Sequence, residues 1–158
     1  QCGNITLDEF LLKYPFLTNT FEALKYLKVR QEMLYCIKQL KKHGYKVAAI
    51  TNNWKIGNHV NTYPIKLKHY FDDIIESCKE HVCKPNIEIY RIACKRMNII
   101  NSSNCIFLDD IGSNLSVAKK QMNFYTIKVT SNYIQAIIQL EQLLNISLLP
   151  LSSSKSKL

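Results

Sequence analysis

The chain has 158 residues, 47% of them hydrophobic and 21% charged, which suits one globular domain. No apolar run reaches the length of a membrane-spanning helix, and the residues from Gln1 onward do not read as a signal peptide, so no membrane partner is expected. The formal charge of +9 would favour anionic ligands, but its densest group, Lys38, Lys41, Lys42 and Lys46, has no interleaved aromatic platform; it reads as a solvated helix face, and no nucleic-acid partner is expected.

In chain order, Thr6-Leu7-Asp8-Glu9 is a capping box that opens a short helix to about Tyr14. Residues 15–29 are less regular, although Phe21, Leu24 and Leu27 keep helical spacing. A helix is predicted from Gln31 to His43, with Met33, Leu34, Ile37 and Leu40 on one face and Gly44 at its C-terminal turn. Tyr45–Ile50 is predicted as a buried strand that runs directly into Thr51-Asn52-Asn53. A short helix over Tyr63–Tyr70 precedes a brief strand around Asp73-Ile74-Ile75. Lys84-Pro85 opens the next helix, with proline in its first turn. Cys105–Leu108 is a strand, Ser113–Met122 a helix, Phe124–Val129 a strand and Tyr133–Leu144 a final amphipathic helix. Strands alternating with helices imply an α/β fold built of βαβ units, with a parallel sheet covered on both faces. Residues 150–158 read as a disordered tail.

Six cysteines are present, none in a Cys-x-x-Cys pair. Several sit in apolar segments, and reduced intracellular thiols are the simplest expectation. Cys78, His81 and Cys83 lie close in sequence but have no second ligand pair at zinc spacing.

Asp109 and Asp110 end the apolar run Cys105-Ile106-Phe107-Leu108. Adjacent carboxylates at a buried strand end need a cation, and Mg2+ prefers oxygen ligands. The competing reading is an Asp-rich turn that caps the next helix. Thr51 and Lys84 sit at other strand ends, and in a parallel sheet such ends converge on one face. There a hydroxyl and free amides can hold phosphoryl oxygens, an ammonium can neutralise anionic charge, and a carboxylate can hold a metal. Taken singly, Thr51 reads equally as a turn residue and Lys84 as a surface lysine.

Three strings together resemble the haloacid dehalogenase superfamily. Ala49-Ile50-Thr51-Asn52-Asn53 resembles its second motif, Cys83-Lys84-Pro85-Asn86-Ile87-Glu88-Ile89-Tyr90 its third, and Phe107-Leu108-Asp109-Asp110-Ile111-Gly112-Ser113-Asn114-Leu115 its fourth. With Asn53-Trp54, Phe71-Asp72 and Ile75-Glu76-Ser77-Cys78, the chain is similar to the amino-terminal phosphatase domains of the soluble epoxide hydrolases and of the family member 10 type of bifunctional acyl-CoA dehydrogenases. The resemblance runs from about Gly3 to about Leu149. It implies a Rossmann-like three-layer α/β/α core at 31–149 and part of a helical cap at 1–30. It implies Mg2+-dependent hydrolysis of small-molecule phosphate monoesters, in which Thr51 and Asn52 meet the phosphoryl group and Lys84 steadies the aspartyl nucleophile. Asp110, ordered by Asp109, would hold Mg2+, and Asn53 and Trp54 would line the substrate entrance.

The family's first motif, Asp-x-Asp on a first strand, has no counterpart: Asp8 is followed by Glu9 and Phe10 in a helix start. The covalent route requires that carboxylate, so the expectation is a chain inactive by itself and a fragment of a longer protein. The alternative is a non-catalytic domain of the same fold serving interaction, homodimers included. The final Ser156-Lys157-Leu158 reads as a peroxisomal address if it ends the protein, against a cytoplasmic default.

Overall fold

The structure, a computed structural model, describes residues 12–13, 29–53, 55–56, 59–60 and 65–150. The expected cap, except Leu12 and Lys13 (which are helical) and residues 29–30, lies outside them, as do Trp54 and the tail from residue 151.

Helix α1 (Gln31–Lys42) ends with Lys41 and Lys42 in its last turn, where cations suit the helix dipole. It is closed by Gly44 at φ 81°, a conformation that costs glycine least. Strand β1 is Ala48–Thr51, shorter than the predicted Tyr45–Ile50. Its entry is set by Asp72, whose carboxylate accepts from the Val47 amide at 2.7 Å and whose own amide donates to the Val47 carbonyl at 2.8 Å. A two-residue antiparallel ribbon, β2 (Lys55–Ile56) with β3 (His59–Val60), was not anticipated. A 3₁₀ helix over Ile65–Tyr70 replaces the predicted helix there. Strand β4 (Asp73–Glu76) leads into the one-turn helix α2 (Ser77–Glu80).

Helix α3 is Ile87–Arg96, starting later than predicted. The Lys84-Pro85 bond is cis, and Asn86 is the N-cap, its side chain accepting from the Glu88 amide at 2.9 Å. Asparagine supplies the acceptor that the first helical amides need, so Pro85 stands before the helix rather than inside it. After a 3₁₀ turn at Ser102–Asn104 come β5 (Ile106–Asp109), α4 (Gly112–Met122), β6 (Tyr125–Lys128) and α5 (Tyr133–Leu144), close to expectation.

Two apolar clusters cover opposite faces of the strands. One gathers Cys36 of α1, Ile127 of β6 and Ala136, Ile137 and Leu140 of α5, with Ile106 and Leu108 packed on it. The other gathers Ile75 of β4, Ile89, Tyr90 and Ala93 of α3, Ala118 of α4 and Phe124, with Ala48, Ile50 and Phe107 packed on it. Strand β5 thus sends alternate side chains to different cores, as the period of two requires when helices lie on both faces. This is the expected three-layer α/β/α arrangement. The expected single sheet is instead two parallel pairs. β1 pairs with β4, Ala48 opposite Asp73 through Thr51 opposite Glu76; β5 pairs with β6, Ile106 opposite Tyr125 through Asp109 opposite Lys128. Among the described residues the two pairs share no ladder, and no strand precedes β1.

The amino ends of the strands carry a separate ionic staple. Arg96 grips both carboxylate oxygens of Asp73 at 2.6 Å and also meets Glu80, tying the last turn of α3 to the start of β4. Of the cysteines, burial pushes the Cys36 thiol up to about 12 and the Cys105 thiol up to about 11. Cys83, on the loop before α3, is disulfide-bonded, a departure from the expectation of uniformly reduced thiols.

Ile75 is wholly buried between β4 and α3. Ile75→Ala is expected to cost about 2–5 kcal/mol in urea unfolding; a loss under 1 kcal/mol would mean that this cluster is not packed as described.

Candidate active site

Asp109 is the last residue of β5 and its carboxylate is nearly inaccessible, with 4% of the side chain exposed. Both of its oxygens are engaged, by three donors. Oδ1 accepts from the Ile111 amide at 2.7 Å and from Asn114 Nδ2 at 3.0 Å; Oδ2 accepts from Lys84 Nζ at 2.7 Å. Burial alone pushes the carboxyl upward, but the Lys84 hydrogen bond, the two other donors and the Lys84 charge outweigh it and hold the group below the usual carboxylate range. Asn114 is itself fixed, because its backbone carbonyl accepts from the Tyr90 hydroxyl at 3.0 Å inside the core. The Tyr90 ring stands edge-on to Phe107 and Phe124 at centroid distances of 5.4 and 6.1 Å.

Lys84 is positioned from both sides. Asn52 Oδ1 accepts from its amide at 2.9 Å, and Asn52 Nδ2 donates to its carbonyl at 3.0 Å. One side-chain amide therefore pairs with a whole backbone residue, much as a strand rung would, and ties the turn after β1 to the loop before α3. The Lys84 ammonium also lies 5.7 Å from the Phe107 ring centre. Thr51 is half-buried on the last rung of β1, opposite Glu76. Asn53 turns toward the end of β4: its amide donates to Ser77 Oγ at 2.8 Å and its side chain to Glu76 at 3.2 Å. Asp110 is exposed, and its carbonyl accepts from Lys128 Nζ.

An open pocket of about 850 Å³ lies at this end of β5 and β6. Lys84, Asp109 and Asp110 line it, as the convergence of strand ends requires; Thr51, Asn52 and Asn53 do not. Arg30, Lys128 and Tyr133 line it too and were not singled out from the sequence. Nothing in the local sequence marks Arg30, whereas Lys128 was findable as the residue one rung across from Asp109 once β5 and β6 are paired.

The carboxylates at hand fit a Mg2+ site only in part. Asp110 offers an exposed carboxylate, but both Asp109 oxygens are engaged. Among the described residues no three His, Cys, Asp or Glu side chains converge as a metal group. A hard cation that seeks several oxygen ligands is not satisfied by this set alone.

Residues 6–120 match the family model described as hydrolase, haloacid dehalogenase-like hydrolase. The mouse protein acyl-CoA dehydrogenase family member 10 is 37% identical over 160 residues, covering 92% of this chain and 15% of its own length. Mouse bifunctional epoxide hydrolase 2 is 31% identical over 145 residues, covering 89% of this chain and 25% of its own length. The chain thus spans a quarter or less of these curated relatives. Among solved structures, a HAD-like family hydrolase from Porphyromonas gingivalis superposes with a TM-score of 0.67 at 20% identity, covering 88% of this chain and 75% of that one. A HAD-family enzyme from Bacteroides thetaiotaomicron in a magnesium complex gives 0.65 at 20% identity, covering 83% and 72%. At that identity the likeness is one of fold.

Lys84→Ala should strand a buried carboxylate and cost about 3–5 kcal/mol at neutral pH. With its folded value held low, Asp109 stabilises the protein above its unfolded value near 4 and loses that contribution as pH falls through the folded value. In the variant, burial without the lysine raises the folded value, so protonation relieves it. The gap between the two proteins in urea unfolding is therefore expected to narrow as pH drops toward 4, and a gap independent of pH would contradict the pairing.

Proposed function

The chain belongs to the haloacid dehalogenase-like hydrolases, and on that premise we propose that it is the portion of a Mg2+-dependent phosphoric monoester hydrolase domain that carries the second, third and fourth motifs. The observation that carries this reading is the 2.7 Å contact between Lys84 and Asp109, which joins the third motif to the fourth at one pocket. A half-buried ammonium held against a buried carboxylate that other donors fix is a preorganised source of positive charge for an anionic reacting group. In this scheme Lys84 steadies phosphoryl and nucleophile charge. Thr51, with Asn52 beside it, meets phosphoryl oxygens, and Asn52 also holds the Lys84 backbone in place. Asp109 orients Lys84 and the start of α4, leaving Asp110 as the ligand this chain would contribute to Mg2+. That ion, when bound, would supply charge neutralisation at phosphoryl oxygens. Asn53 and Trp54 belong to the substrate entrance.

The pattern Asp-x-Asp occurs nowhere in the sequence. Covalent phosphoryl transfer then has no nucleophile within the chain, and the second aspartate that would exchange the leaving-group proton is also missing. This chain by itself is accordingly inactive and binds Mg2+ weakly. The same absence favours the second reading, a non-catalytic interaction domain, in which the edges of β1 and β5 that are unshared among the described residues offer pairing surfaces, to a second copy among others.

The chain alone is expected to release no 4-nitrophenol from 4-nitrophenyl phosphate with Mg2+. Joined to a strand that supplies Asp-x-Asp it should do so, and Lys84→Ala or Asp110→Asn should then lower kcat by about a hundredfold or more. Turnover indifferent to both substitutions would sink the phosphatase reading; a completed protein that stays inert would favour the interaction domain. For location, a fluorescent protein ending in residues 151–158 should enter peroxisomes and lose that address on Leu158→Asp; diffuse signal from the intact ending would rule the address out.

A further inference from the structure

We propose that Arg30 and Lys128 form a second anion subsite beside Lys84, so that the ester taken by this pocket carries an acidic group, a carboxylate or a second phosphate, besides its phosphoryl group. The inference rests on the phosphatase reading and narrows its substrate class.

Charge within the pocket is the first argument. Three cations line it, Arg30, Lys84 and Lys128, against Asp109 and Asp110. Lys84 is already matched by Asp109 at 2.7 Å. Lys128 donates to the Asp110 carbonyl, an uncharged partner that leaves its other N–H donors to the pocket. Arg30 has no carboxylate at ion-pair distance among the described residues. Within the pocket lining two cations therefore remain against Asp110, the residue assigned to the metal, while outside that lining the Glu32 charge interacts with Arg30 without an ion pair.

The second argument is that Arg30 is built in. Its guanidinium carbon lies 4.9 Å from the Tyr133 ring centroid. Tyr133 is anchored in turn, its hydroxyl donating to Glu32 Oε2 at 2.7 Å. Arg30 also interacts with the Tyr133 hydroxyl, and a guanidinium carries five N–H donors, so others of that fork are left to match a planar carboxylate or a phosphate. The subsite also stands on element ends: Arg30 is the N-cap of α1, Lys128 the last residue of β6 and Tyr133 the first of α5. Such positions hold a constellation better than loop interiors do. Finally, a pocket of about 850 Å³ is sized for a small organic molecule, well beyond the phosphoryl group alone.

The test is a chemical-shift titration of the 158-residue chain with two probes of similar size, ethyl phosphate and 2-phosphoglycolate. The carboxylate of 2-phosphoglycolate should tighten binding about tenfold or more over ethyl phosphate, the value of a charge-assisted hydrogen bond. Arg30→Gln and Lys128→Gln should each shrink that advantage and together abolish it, while ethyl phosphate affinity stays unchanged; Arg30→Lys should keep part of it. Equal affinities for the two probes, or an advantage that survives the double variant, would overturn the subsite. The phosphatase reading fails separately: ethyl phosphate would then not bind, or would bind without regard to Lys84→Met. Propane-1,3-diyl bisphosphate, titrated in parallel, tells whether the second group is better met as a phosphate than as a carboxylate.

Discussion

A carboxylate with 4% of its side chain exposed does not remain ionised without partners, and the carboxyl end of this fold is organised around that constraint at Asp109. The pairing with Lys84 meets it, but only because each partner is held by something else. Lys84 is set by the Asn52 side chain through its own amide and carbonyl. Asn114, the second side-chain donor, is set by Tyr90, whose ring is wedged edge-on between Phe107 and Phe124. The polar site and the apolar core are in this way one structure: the tyrosine that fills the centre of one cluster also aims the asparagine that satisfies the buried acid.

The strands divide their labour between their two ends. At the amino ends Arg96 locks α3 to β4 through Asp73 and Glu80, and Lys41 reaches Asp72 at 2.7 Å. These are partly exposed pairs that serve the framework. At the carboxyl ends the Lys84–Asp109 pair is more buried, and the charges there leave a pocket rather than closing it. That contrast follows from geometry, since only at the carboxyl ends do the loops after β1, β5 and β6 leave the strands on the same side.

Much of this was legible in the residues. The alternation of strand and helix and the limits of α5 are properties of pattern and spacing, and the structure returns them nearly unchanged; of Thr51, Lys84 and Asp109, the latter two line one pocket and Thr51 does not. The misses have local causes. Tyr45–Val47 has strand composition, but Asp72 captures the Val47 amide and delays the strand. Pro85 has the statistics of a first helical turn, yet Asn86 caps better and moves the start downstream. Arg30 and Tyr133 could not be assigned to the pocket from sequence, because their membership depends on how α1 and α5 pack across β5 and β6; Lys128 follows only once β5 and β6 are paired. Asn52 was legible as a residue at the site but not as a brace, a role visible only when the partner backbone is in view.

The chain separations of these contacts carry a further meaning. Asp109 finds Asn114 five residues away, whereas Lys84 and Asp109 are 25 residues apart and Asn52 and Lys84 are 32 apart. Closing a loop costs more conformational entropy as the loop lengthens. The acidic half of the site is therefore nearly self-assembling within one strand, turn and helix, while its counter-charge must be delivered by docking of the other strand pair. A chain in which that docking is loosened would keep its secondary structure and its acidic turn but lose the charge balance, so that the site itself serves as a reporter of whether the two halves of the molecule are joined.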